Sequence, residues 1–323
     1  MRRLLVPLTA LAVLATATAC GGSSDDSSTA SGAGGTTKLT VGVIPIVDVA
    51  PIYLGQEQGF FSDHDIDLEL TQLSGGAAAL PAVVSGDLQF AFGNITSTLL
   101  AGSQGLPVRM VAEGNSSTGD PATDFSGIVV PADSPIQSAA DLAGKTVAIN
   151  NLKNINDVTT RAVVESAGGD PSTIQFTELG FPDMPAALTN GNVDAAVVVE
   201  PFLTVAKSQG ARVIAANYAE ATDDLTVATY FTTEQYIQQN ADVVDDFQAA
   251  IQESLQYAQD NPDEVRRIIS TYTEITADQA AEIALPAFPQ DVNVDSVQAI
   301  ADLMTKYDIV DSEIDVDSIL ATD

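Results

Sequence analysis

The chain has 323 residues, enough for two compact domains, and 45% of them are hydrophobic, enough for real cores. It carries 12 Lys and Arg against 44 Asp and Glu, a formal net charge of -32. That balance argues against nucleic acid and against docking on anionic lipid, both of which need a basic face. The acids are not grouped as metal ligands. Between Glu220 and Asp323 there are 23 of them against Arg266, Arg267 and Lys306, spread singly along helical patterns.

Met1-Arg2-Arg3 is a short positive region, and Leu4 to Ala15 is an apolar stretch too short to span a bilayer as a mature helix. Small residues follow, Ala17-Thr18-Ala19, directly before the chain's single cysteine, Cys20. The segment resembles a bacterial lipoprotein signal over residues 1–19, with Cys20 as the acylated residue. It departs from that pattern at Ala17, where Leu is usual, and an ordinary secretory signal is the alternative. Residues 20–37, rich in Gly, Ser and Thr, read as a flexible tether. The expected location is the outer face of the cytoplasmic membrane, in the cell envelope, with the protein lipid-anchored.

The body opens on a buried strand, Lys38 to Pro45. A helix over Asp48 to Gln58 follows, with Asp48 read as its N-cap and Gly59 as its stop. Asp67 to Gln72 alternates as a strand. Ser74-Gly75-Gly76 opens a helix that ends at Gly86. Leu88 to Phe92 is a strand, Asn94 to Ser103 a helix, and Val108 to Ala112 a strand. The order then restarts. Lys145 to Asn150, Thr173 to Glu178, Val193 to Val199 and Arg212 to Ala215 read as strands. Helices lie between them over Asn156 to Ala167, Pro182 to Thr189 and Pro201 to Ser208. The phrase LPAVVSGDLQFAFGN recurs as MPAALTNGNVDAAVVVEP, Pro81 matching Pro185 at an offset of 104. Strands alternating with helices imply an α/β fold with mostly parallel sheets, here built twice. After a strand at Thr226 to Thr232 the chain is almost all helix. Asn261 is read as a capping Asn, Thr276 to Gln279 as a capping box, and Val243, Val244, Phe247, Ile251 and Leu255 as one buried face. The tail is expected to pack back on the first unit. This gives lobe 1 as 38–126 plus 222–323 and lobe 2 as 127–221.

The run VGVIPIVDVAPIYLGQEQGFFSDHDIDLELTQLSGG, then SGDLQFAFG, SPIQSAADLAGKTVAI and PAALTNGNVDAAVVVEP, resembles the nitrate, sulfonate and taurine family of ABC-transporter solute-binding proteins. That family includes binders of the pyrimidine precursor of thiamine. The resemblance covers nearly all of residues 39 to 310. It implies a type II periplasmic-binding-protein-like fold: two lobes, a hinge of two crossovers, and delivery of a ligand to ABC permease subunits by what is expected to be a monomer. The implied ligand is a small anion of the sulfonate, nitrate or taurine kind. A thiamine-precursor pyrimidine or similar heterocycle is the alternative, and a same-fold menaquinone-pathway enzyme a more distant one.

In open α/β sheets ligands bind beyond the carboxyl ends of strands, where helix N-termini and turns converge. The turns that qualify give Val47, Asp48, Ser74, Gly75, Gly76, Asn94, Ile95, Thr96 and Asn115 in the first unit. In the second they give Asn151, Lys153, Asn154, Asp183, Met184 and Glu200. Few cations lie near them, only Lys153, Arg109 and Arg161, so a bound anion would depend on backbone N–H groups and helix N-termini. A heterocycle would stack on Phe or Tyr, the chain having no Trp. The single His64 sits among Ser62, Asp63 and Asp65 and is expected to be solvent-exposed. With one His, one Cys at the N-terminal segment and no phosphate-binding Gly-Lys-Ser/Thr loop, no enzyme activity, metal or cofactor is expected.

Overall fold

The computed structural model describes residues 35–321. The expected signal segment and Cys20 lie outside the described residues, as does most of the expected tether. The last tether residue, Thr37, is instead the first residue of a strand.

The first half of the body runs β1 (Thr37–Val43), α1 (Ala50–Gln58), α2 (Phe60–Asp63), β2 (Ile66–Gln72), α3 (Gly76–Ser85), β3 (Phe90–Asn94), α4 (Ile95–Ser103) and β4 (Val108–Ser116). The second runs β5 (Ser126–Pro131), β6 (Thr146–Ile149), α5 (Ile155–Ser166), β7 (Gln175–Glu178), α6 (Met184–Thr189), β8 (Ala195–Val199), α7 (Phe202–Ser208) and β9 (Ala211–Ala215). Then come β10 (Thr226–Thr233), α8 (Glu234–Gln239), α9 (Ala241–Asp260), α10 (Pro262–Ile269), α11 (Ala277–Glu282) and α12 (Val294–Lys306).

The strands form two five-stranded sheets, ordered β2-β1-β3-β10-β4 and β7-β6-β8-β5-β9. Each is parallel over its first three strands, with Leu39 opposite Leu68 in one and Val147 opposite Phe176 in the other. In each the fourth strand is antiparallel to both neighbours. The repeated phrase therefore marks a repeated sheet. The fourth strands are exchanged: β5 follows the first unit in sequence yet lies in the second sheet, and β10 follows the second unit yet lies in the first. Two crossovers, 117–125 and 216–225, link the sheets. Asp124 joins them, accepting hydrogen bonds from Ser117 Oγ (3.0 Å) and from the backbone N–H groups of Thr118 (3.2 Å) and Ala219 (3.0 Å).

Several local expectations need correction. Asp48 caps nothing. It lies in a 3₁₀ turn, Val47–Val49, and α1 has no side-chain cap. Asn261 does not cap α10, because its amide donates back to the Tyr257 carbonyl at 2.8 Å. The strand expected over Val108 to Ala112 continues to Ser116, which puts Asn115 in a strand rather than a turn. His64 is half-buried against α9, 3.2 Å from Glu253 and 3.8 Å from Asp246. The capping box at Thr276 and Gln279 forms as read. Gly59, at φ 91°, ends α1 in the left-handed region where glycine carries no Cβ penalty.

The tail helix α9 covers the first sheet. Val244, Phe247, Ile251 and Leu255 are buried at helical spacing, while Val243 is half-buried. Phe247 stacks on Phe90 (ring centroids 4.0 Å apart, 7° between planes) and meets Tyr230 edge-on at 5.6 Å. This core continues across the junction into the second lobe through Phe181, Met184, Val198 and Leu203. The other face of the second sheet holds its own core around Leu142, Val147 and Ile149. On the outside, Glu165 of α5 receives Lys306 Nζ (2.5 Å) and the Tyr307 hydroxyl (2.6 Å) from the end of α12, an ion pair between the lobes.

Candidate functional site

The carboxyl ends of β1, β3, β6 and β8 point at one another across the junction of the sheets. Between them lies a cavity of about 20 Å³. Its first-sheet wall is Ile44, Ile46, Asp48, Phe92 and Asn94, with Val227 and Ala228 of β10. Its second-sheet wall is Asn150, Ile155, Asn156, Phe181 and Val199. Tyr218 comes from the second crossover. That volume holds about one water, so the cleft is shut in this conformation. A larger groove of about 720 Å³ lies between β4 and α9, but it is built from the first lobe and tail alone and contains none of the strand-end turns.

Each polar wall residue is held by its own element. Asn94 caps α4: its side-chain oxygen accepts from Thr96 Oγ1 (2.5 Å), Ser97 N–H (3.1 Å) and Ser97 Oγ (3.1 Å). Only its amide nitrogen is left for a ligand. Asn154 caps α5, accepting from the N–H groups of Asn156 and Asp157, and its own amide donates to Asn150 Oδ1 at 2.5 Å. Asn156 also donates to Asn150 Oδ1 (3.0 Å) and accepts from the Tyr218 hydroxyl (2.8 Å). The Asn-rich loop after β6 is thus a fixed network that spends the Asn150, Asn154 and Asn156 oxygens internally and leaves the Asn150 amide and Asn151 Oδ1 without partners.

Asp48 differs from these. It is 2% exposed, and its Oδ2 has no hydrogen-bond partner among the described residues. Asn115 lies beside it and moderates its charge, but no geometrically sound bond joins them, and both atoms of the Asn115 amide are also unpaired. Burial pushes the Asp48 carboxyl up to about 7, its own backbone and Asn115 oppose the shift, and the nearby Asp124 adds to it. No Lys or Arg lines the cavity.

The remaining expected residues divide three ways. Val47, Gly75 and Asn151 sit where the lobes touch. Val47 N–H donates to the Glu200 carbonyl at 3.0 Å. A Cβ on Gly75 would overlap Asn151 Oδ1 and stand 3.1 Å from its Cγ. Gly76 packs under the same turn, where a Cβ would stand 3.0 Å from Gly93 Cα. Glu200 is 1% exposed but occupied, its carboxylate accepting from Thr204 N–H (2.9 Å), Thr204 Oγ1 (2.8 Å) and Ala284 N–H (3.2 Å). Ile95, Thr96 and Met184 are buried packing residues. Ser74, Lys153 and Asp183 are exposed, outside the cavity wall. Reading by turns did not single out Phe92, Phe181 or Tyr218, whereas Asn156 ends the Asn-rich run that it did point to. Phe181 could have been found from its place in the turn after β7, whereas Tyr218 depends on the path of a crossover.

Comparison with known proteins agrees with this architecture. The family model described as NMT1/THI5 like matches residues 46–265. A formylaminopyrimidine-binding protein of Halalkalibacterium halodurans is 24% identical over 223 residues, 68% of this chain and 65% of that protein, so the match spans less than two thirds of the relative's length. The alkanesulfonate-binding protein SsuA of Xanthomonas axonopodis pv. citri, solved with MOPS bound, superposes with a TM-score of 0.75 at 16% identity, covering 90% of this chain and all (100%) of that one. The periplasmic nitrate-binding protein NrtA of Synechocystis PCC 6803 superposes with a TM-score of 0.72 at 15% identity, covering 88% and 86%. The fold is that of the two-lobe periplasmic binding proteins, and the chain belongs to the NMT1/THI5 like family.

Proposed function

We propose that the chain is the extracytoplasmic solute-binding component of an ABC importer. It captures a small molecule between lobes 38–126 plus 222–323 and 127–221 and hands it to the permease. It does so as a monomer held to the membrane through acylated Cys20. The observation that carries this reading is the cleft itself. Its walls come from strand ends of both sheets, two chain crossovers link those sheets, and the space of about 20 Å³ left between the walls is too small for a solute unless the lobes part. The relatives named above are binding proteins, and the one His, at the end of α2 against α9, is not part of the cleft wall.

The small anion expected from the sequence has alkanesulfonate- and nitrate-binding proteins among its fold relatives. The cleft's own chemistry favours the second reading, a thiamine-precursor pyrimidine or similar nitrogen heterocycle. The wall offers Phe92, Phe181 and Tyr218 as flat apolar surface, amide groups as polar contacts, and a carboxyl where an anion would want a cation. A thermal-shift panel of nitrate, alkyl and aryl sulfonates, taurine, hydroxymethylpyrimidine, thiamine and riboflavin tests both. A ligand at a hundred times its dissociation constant should stabilise the fold by about 2.7 kcal/mol. No shift with any of them would instead support a receptor or adhesion lobe.

A further inference from the structure

Among the described residues, Asp48 is the carboxyl group that the fold buries without using. Glu200 is spent on Thr204 and Ala284, Asp124 on the crossovers, and Glu113 on the Ser116 and Thr226 hydroxyls at 3.2 and 3.1 Å. Asp48 Oδ2 and the whole Asn115 amide are left without partners at the cleft. Leaving one buried polar group unpaired costs about 1–3 kcal/mol, and here two such residues lie side by side. A polar group that enters the cleft and bonds to Asp48 recovers that cost.

We propose that Asp48 is the specificity-determining residue of the cleft, its free Oδ2 receiving an N–H from the solute, so that the site selects amines and amino-substituted nitrogen heterocycles over fixed anions. Asn115 of β4 lies behind Asp48, outside the cavity wall, and its unpaired amide supports the orientation of that carboxyl. The inference rests on the reading of the cleft as the solute site.

The groups facing Asp48 make it an acceptor sensitive to pH. Asp124 of the first crossover is its charged neighbour, and Tyr218, Tyr230 and Tyr272 are near it, their hydroxyls held neutral by burial. No cation compensates it. With its carboxyl pushed up to about 7, Asp48 is protonated below neutrality and ionised above it. A protonated amine then binds more tightly as the pH rises through 7, because the charged acceptor forms. A sulfonate behaves in the opposite sense, since it can tolerate only the protonated carboxyl.

The test is titration calorimetry on the wild type, Asp48→Asn and Asn150→Ala. The probes are hydroxymethylpyrimidine, a primary alkylamine, ethanesulfonate and nitrate, each at pH 5.5 and pH 8. Asp48→Asn preserves shape, removes the titrating charge and replaces one of the two acceptor oxygens by an NH2 donor. The variant should be at least as stable as the wild type at pH 8, which serves as the folding control. The expected result is that the wild type binds the pyrimidine or the amine, that amine binding strengthens toward pH 8, and that Asp48→Asn weakens the bound probe by about tenfold or more and flattens that pH dependence. Binding of an anion that Asp48→Asn leaves unchanged or strengthens overturns the proposal while keeping the cleft as the site. A bound probe whose affinity neither Asp48→Asn nor Asn150→Ala alters overturns the cleft reading as well. Failure of both N–H probes to bind folded wild-type protein also overturns the proposal.

Discussion

Replacing Phe247 with Ala should lower the stability of the protein by about 3–5 kcal/mol, the usual cost of emptying a buried aromatic site. Phe247 is 0% exposed and lies at the centre of an aromatic cluster with Phe90, Tyr230 and Phe61, which come from β3, β10 and α2. Denaturant melts of the variant and of Phe176→Ala give the comparison. Phe176 is half-buried on the parallel edge strand β7, covered by Arg161 at 5.0 Å, and should cost less than half as much. Equal losses would mean that α9 is not the main cover of the first sheet.

The second large effect is on binding. Gly75 touches Asn151 across the cleft so closely that a methyl group there would have to displace the Asn151 side chain. The backbone of Gly75 is extended, φ 171°, so Ala fits it without strain and only the closed state is affected. Overpacking such a contact costs about 1–3 kcal/mol. Gly75→Ala should therefore weaken solute affinity by about tenfold without lowering the melting temperature of the empty protein. Adding Asn151→Ala in the same chain should restore it, since the clash is with that side chain alone. If the single variant binds as the wild type does, the lobes do not close through this turn.

The sheets were legible because their signals are local. β-branched runs, Gly stops such as Gly59 and Gly86, and the Pro81/Pro185 repeat each report on a few neighbouring residues. The exchanged strand β5 was not legible. Its apolar run is Ile128 to Val130, and nothing in it says that its partners β8 and β9 lie far along the chain. The same limit governs the site. Strand-end turns point to Asp48, Asn94 and the Asn150 loop, but not to which side chains are already spent. Asn94 and Asn154 are consumed by capping, whereas Asp48, read as a cap, is free. Lys153, at a φ of 58°, shares a loop with Asn154 yet is exposed. Tyr218 needed the crossover path, a tertiary fact.

The central claim is that two lobes close on a solute held between them. Small-angle scattering of the protein with and without a saturating concentration of the solute that stabilises it tests this most directly. A smaller radius of gyration in the bound state is the predicted result, because the crossovers 117–125 and 216–225 allow the sheets to part and the cleft walls meet only when shut. Superimposable curves at proven saturation would contradict it.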